Sequence, residues 1–212
     1  MTKIICISDT HGFKDFSVPP GDILIHAGDA MNTGSEKDLI NMSAWFGKLP
    51  FKHIIYVPGN HDTIFEDKYY YAKLILPENV TLLIDQETVI GGIRFYGTPY
   101  QPEFCNWAFN LPRGPQLIAK WDQIPIDTDI LITHSPAYGY GDDVSINKSN
   151  PNHIGCQDLQ TKLLELTNTK YHIHGHCHAG YGIYKNNHIT TINAAICDEK
   201  YRPVQLPITI NL

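Results

Sequence analysis

No stretch of this 212-residue chain approaches the ~18 consecutive apolar residues that a membrane-spanning helix needs. Its start, Lys3-Ile-Ile-Cys-Ile7, is too short and abrupt for the apolar core of a signal peptide, so a cytoplasmic location is expected. Paired cysteines are also missing. Cys6, Cys105, Cys156, Cys177 and Cys197 are odd in number, widely spaced and never arranged C-x-x-C, which excludes a disulfide framework. Positive charge is scarce, with 16 Lys+Arg against 22 Asp+Glu for a formal net charge of −6. That balance argues against long nucleic acid as a partner, because such binding draws its affinity from neutralising many phosphates, but it leaves room for a small phosphate ester held through metal ions. Low-complexity tracts, internal repeats, linkers and long charge blocks are absent. With 42% hydrophobic and 18% charged residues the chain is no disordered polymer, and residues 1–212 are read as one domain.

Histidine is in surplus, at 11 residues. Imidazole is the commonest transition-metal ligand and the usual proton carrier near neutral pH, so position decides what each one means. Five short apolar, β-branched runs each end in a polar loop. Lys3 to Ser8 runs into Asp9-Thr-His-Gly12, Asp22 to Ala27 into Gly28-Asp29, and His53 to Val57 into Pro58-Gly-Asn-His-Asp62. Asp129 to Thr133 leads to His134-Ser-Pro136, and Tyr171 to Ile173 to Gly175-His-Cys-His178. Between them, Ser35 to Leu49 reads as a helix with a serine N-cap and an apolar face of Leu39, Met42, Trp45, Phe46 and Leu49. Gln157 to Leu166 reads as a second helix. Two hairpins are expected around Gly91-Gly92 and Asn186-Asn187, which makes the second half richer in antiparallel strands. The fold class is therefore α/β or α+β, layered, with functional loops at strand carboxyl ends.

Those loops hold Asp9, His11, Asp29, Asn60, His61, Asp62, His134, His176 and His178. Carboxylate, imidazole and amide donors suit hard or borderline divalent ions better than thiolate-seeking ones. Their number is enough for two ions sharing a bridging carboxylate, an arrangement suited to in-line displacement at phosphorus.

The ordered series Asp9-x-His11, Gly28-Asp29, Gly59-Asn-His-Asp62, His134-x-Pro136 and Gly175-His-x-His178 resembles the calcineurin-like metallophosphoesterase superfamily. Within it, the segments Ile25-His-Ala-Gly-Asp29, Trp45-Phe-Gly-Lys-Leu-Pro50, Phe95-Tyr-Gly-Thr-Pro99, Asn106 to Gly114 and Gly180-Tyr-Gly-Ile183 are similar to the metallophosphoesterase-domain-containing (MPPED) phosphodiesterases. The resemblance implies a four-layer α/β/β/α sandwich of two mixed sheets with metals at the rim. It implies that Asp9, His11 and His178 hold one ion, that Asn60, His134 and His176 hold the other, and that Asp29 bridges them. His61, paired with Asp62, would contact the phosphate and protonate the leaving group, while a bridging hydroxide attacks phosphorus. Some animal members carry glycine where this chain has His176, so retention of the histidine points to a competent dinuclear centre. Manganese is the ion the resemblance favours, with iron or zinc as alternatives.

Other readings stay open at single positions. The loop residues, taken singly, also suit turn and capping roles. His26, His53, His153, His172, His174 and His188 are expected in the core or supporting ligands, and Cys177 as a small buried hydrophobe. The run Tyr96, Tyr100, Phe104, Trp107 and Phe109 with Arg113 reads either as a wall for a nucleobase and phosphate or as loop packing, so Trp107 and Arg113 join Asn60 and His61 as candidate substrate contacts. Asp142-Asp143 and residues 147–152 read as a solvated loop. The expected activity is hydrolysis of small nucleotide esters such as cyclic nucleotides. The alternatives are a phosphomonoesterase or phosphoprotein phosphatase on the same centre, or a non-catalytic protein-binding scaffold. A homodimer is compatible with the resemblance.

Overall fold

A computed structural model of the chain describes residues 1–145 and 150–212. Strands β1 (Lys3–Ile7), β2 (Ile23–His26), β3 (His53–Tyr56) and β4 (Val80–Leu82) lie parallel, and β13 (Ile208–Asn211) closes this sheet antiparallel to β1. The second sheet has the order β11 (Gly182–Asn186), β12 (Ile189–Asn193), β10 (Tyr171–His174), β9 (Ile130–Thr133), β6 (Ile93–Thr98) and β5 (Gln86–Ile90). A small parallel pair, β7 (Gln101–Pro102) and β8 (Asn110–Leu111), stands apart.

The period-2 alternation of each strand builds the layers. From β1, Ile4 and Cys6 face the second sheet and meet Phe95, Ile130, Ile132, Ile173 and Ile192 in the central core. Ile5 and Ile7 face the other way, toward α1 (Glu36–Phe46), α2 (Ile64–Asp67) and α3 (Tyr69–Ile75). On the far side of the second sheet, Tyr96 and Leu131 pack on α4 (Pro115–Trp121) and α5 (Gln157–Glu165). The result is the α/β/β/α sandwich.

The second half is less antiparallel than its hairpins suggest. The interior strands β12, β10, β9 and β6 are mutually parallel, and the hairpins contribute only the edge strands β11 and β5. The turn before β12 is Asn187-His188, not Asn186-Asn187, because Asn186 pairs with Ile189 across the ladder and is buried there in a two-way amide exchange with Gln160. Nor is Asp142 solvated. It is buried, and its carboxylate accepts from Gly139 N, Gly155 N and His153 Nδ1.

Helix α1 begins where expected, since Ser35 Oγ accepts from Asp38 N at 3.1 Å, but it stops at Phe46 ahead of Gly47. Ser35→Ala removes that cap and should cost about 1 kcal/mol, lowering the thermal midpoint by about 2–4 °C in a melting experiment.

Candidate metal centre

The carboxyl ends of β1, β2, β3, β9 and β10 open on one rim of the sandwich, where all five polar loops meet. Asp9 (φ 51), His11 (φ 44), Asp29 (φ 54) and His176 (φ 66) are all left-handed, a conformation that costs non-glycine residues energy and persists only where the surroundings dictate it. Here the β1–β2 pairing continues into the loops, with Asp9 N donating to Gly28 O at 2.9 Å and His11 N to Asp29 O at 3.0 Å. Two glycines leave the space. A Cβ on Gly59 would lie 2.2 Å from Asp29 Oδ1, and one on Gly175 2.0 Å from Asp9 Oδ2.

Three sets of donor atoms each fall within 4.8 Å of one another: Asp9, His11 and His178; Asp29, His134 and His176; and His11, Asp29 and His61. His178 Nε2 lies 3.3 Å from Asp9 Oδ1 and 3.2 Å from His11 Nε2. His134 Nε2 lies 3.3 Å from Asp29 Oδ2 and 3.0 Å from Asn60 Oδ1. All seven expected ligands are thus brought together, and Asp29 sits between the two halves, 3.9 Å from His11.

The rings are aimed from behind. His178 Nδ1 donates to Asp198 O and His134 Nδ1 to Ala27 O, both at 2.9 Å, which turns each Nε2 toward the carboxylates. Burial alone would raise the Asp9 and Asp29 carboxyls, but His178 beside Asp9 and His134 beside Asp29 hold both well below the usual carboxylate range. Burial pulls His11 and His176 down to about 4, leaving neutral rings with free lone pairs, whereas Asp29 overrides burial at His134 and lifts it to about 9. Buried carboxylate oxygens and imidazole nitrogens converge here, His11 and His176 as neutral rings and His134 with its charge balanced by Asp29; a divalent cation would take the place of the His134 proton, so the residues fit a metal.

The expected His61–Asp62 pair does not form. His61 Nδ1 donates to Asn32 O at 2.7 Å, its ring stacks on Trp107 with centroids 4.2 Å apart, and Nε2 lies 4.0 Å from Asp29 Oδ2. Asp62 turns the other way and accepts from Gly59 N at 2.8 Å, Met31 N at 2.9 Å and Ala30 N at 3.3 Å. Burial and the charge of Asp29 push its carboxyl up to about 6, against the pull of the Gly59 and Met31 amides.

A cleft of about 600 Å³ opens over Asp29, Asn60, His61, His176 and His178. The aromatic run divides: Tyr96 and Phe109 are buried in the cores, Tyr100 lies under Lys120 Nζ at 3.7 Å, and Phe104 and Trp107 stand at the centre. Arg113 lines the cleft, yet its guanidinium donates to Ile154 O at 2.6 Å and Gly155 O at 2.9 Å, so it braces that wall. Of the 147–152 loop, residues 147–149 lie outside the described residues, while Asn152 lines the cleft. His26, His172 and His174 are buried behind the loops, bonded to Thr10, Thr133 and Gly175 O respectively. His176 lies beyond β10, which ends at His174. Cys177 is buried, and burial pushes its thiol up. Sequence reasoning missed Tyr201, Glu103 and Glu199, which line the cleft from segments that carry no motif.

The profile of the calcineurin-like phosphoesterase family matches residues 2–180. The chain belongs to that family. It is 37% identical over 234 aligned residues, spanning 100% of this chain and 71% of the relative, to metallophosphoesterase domain-containing protein 1 of Homo sapiens, with the same figures for the Mus musculus protein. A Staphylococcus aureus structure described as a 5'-nucleotidase shares the fold, with a TM-score of 0.53 at 13% identity over 90% of this chain and 48% of that one. Among the described residues no helix is long and apolar enough to cross a membrane. Family membership makes the chain a metal-binding phosphoester hydrolase.

Proposed function

We propose that this phosphoesterase is a dinuclear phosphodiesterase for small nucleotide esters, cyclic nucleotides among them. The observation that carries the reading is the position of Asp29 between two buried donor sets at the floor of the cleft. Asp9, His11, Asp29 and His178 would hold one ion, and Asp29, Asn60, His134 and His176 the other. Divalent ions there, manganese first and iron or zinc as alternatives, would neutralise phosphoryl charge and lower the pKa of water.

The chain's own residues supply the rest. Because His61 Nδ1–H donates its hydrogen bond to Asn32 O, Nε2 is the atom that can carry a proton to the departing oxygen, and the Trp107 stack keeps the ring in place. The volume of about 600 Å³ suits a small ester, and Glu103 and Glu199 at its edge disfavour a polyanion.

The test is hydrolysis by manganese-loaded protein of 2′,3′-cyclic AMP, 3′,5′-cyclic AMP and AMP side by side. Turnover of a cyclic ester well above AMP supports the reading; preference for AMP replaces it with a phosphomonoesterase. His61→Ala should keep both ions and lose roughly 10²–10⁴-fold in kcat on esters with poor leaving groups, and much less on p-nitrophenyl esters, whose leaving oxygen needs no proton. Equal losses across leaving groups would remove the acid role.

A further inference from the structure

We infer that Tyr201 is a specificity-determining residue of the cleft, its ring held in place against a backbone penalty to meet a planar aromatic group, such as a nucleobase, on the phosphoester. The inference rests on the phosphoesterase reading and deepens it.

Tyr201 has φ 55, a left-handed conformation that glycine or asparagine adopts readily and a bulky side chain does not. Its turn is fixed from several directions at once. Tyr201 N donates to Asp198 O at 2.8 Å and Asp198 N to Arg202 O at 2.9 Å. The Asp198 carboxylate accepts from Lys200 N and Arg202 N, both at 2.9 Å, and pairs with the Arg202 guanidinium at 2.8 Å and 2.5 Å. The carbonyl of Asp198 also receives His178 Nδ1, so one residue anchors both this turn and a candidate metal ligand.

The ring is thereby laid beside the imidazoles, with centroids 4.7 Å from His11, 5.1 Å from His178 and 6.4 Å from His61. Phe109 shares the left-handed backbone, at φ 58, but is buried in the core, whereas Tyr201 is 47% exposed and lines the cleft. Phe104 lines the same cleft, 50% exposed and 5.9 Å from His176. One open aromatic ring therefore stands beside each donor set. Strain tolerated at a position that contacts the cleft is the mark of a side chain needed there, and flat π surfaces take flat π ligands without reading a particular base.

The experiment is calorimetric binding of AMP and of inorganic phosphate to manganese-loaded wild type, Tyr201→Asn and Tyr201→Phe, with thermal melting of each. Tyr201→Asn should bind AMP about tenfold more weakly and inorganic phosphate as before, while Tyr201→Phe keeps both affinities. Relief of the backbone should offset the lost ring contacts, so that Tyr201→Asn melts within about 2 °C of wild type. Unchanged AMP binding, or equal weakening of AMP and phosphate, overturns the inference: the first makes the ring packing, the second makes it a prop for the histidines. Hydrolysis separates the two readings. Wild-type protein that cleaves no phosphoester but shows the binding pattern sinks the activity and leaves Tyr201 its role. Diester turnover with an unaltered nucleotide KM in Tyr201→Asn does the reverse.

Discussion

Replacing Asp29 by alanine is expected to empty both halves of the metal centre and lower kcat/KM on the order of 10⁴-fold or more. Asp29 is the carboxylate that both donor sets reach: Oδ2 lies 3.3 Å from His134 Nε2 and 3.9 Å from His11 Nε2. Its other oxygen accepts from His61 N at 2.8 Å, so the same residue also fixes the loop that carries the proposed acid. On the proposed assignment, an alanine there would remove a ligand from each ion and an anchor from His61 in one step. Substitutions on one side only, such as Asp9→Ala or His176→Ala, should cost mainly the ion on that side. Elemental analysis of dialysed protein reads the difference directly. Two ions retained by Asp29→Ala would refute its position as the shared ligand, whatever happens to turnover.

The contrast between Asp29 and Tyr201 shows what a sequence of this kind makes legible. Asp9, His11, Asp29, Asn60, His134, His176 and His178 are visible because each follows an apolar β-strand directly, and parallel strands with crossovers between them bring their carboxyl ends to one rim. The layers are visible for a related reason, since the alternation of Ile4, Ile5, Cys6 and Ile7 already demands a buried surface on both faces of β1. Short elements such as α2, α3 and β4 are not, because three to seven residues carry too little periodicity to stand out. Tyr201 is hidden for another cause. Its place depends on a turn built by Asp198 and Arg202 and on a left-handed backbone angle, neither of which leaves a pattern in composition or spacing. Arg113 illustrates a choice the sequence leaves open: it lines the cleft, and two backbone carbonyls hold its guanidinium as a brace for that wall.

Asp62 carries the second large effect, and it falls on stability. A catalytic carboxylate paired with His61 would predict that Asp62→Asn folds as well as wild type and loses turnover alone. The structure gives another expectation, because both carboxylate oxygens are used to gather the backbone amides of Ala30, Met31 and Gly59. Those amides belong to the loops after β2 and β3, which carry Asp29, Asn60 and His61, so Asp62 is the fastening between them. An asparagine offers one acceptor oxygen and turns an N–H₂ group toward buried N–H donors. Leaving such donors unmatched costs about 1–3 kcal/mol each, so Asp62→Asn should lose roughly 3–5 kcal/mol, or about 8–15 °C in the thermal midpoint. The measurement belongs at pH 8, above the value of about 6 to which the carboxyl is pushed, so that wild-type Asp62 is ionised. Metal content should fall with the midpoint, since a loosened loop after β3 no longer holds Asp29 through the amide of His61. A variant that melts with the wild type, keeps both ions and has lost only kcat would return Asp62 to the chemistry and leave the three amide bonds without an energetic role.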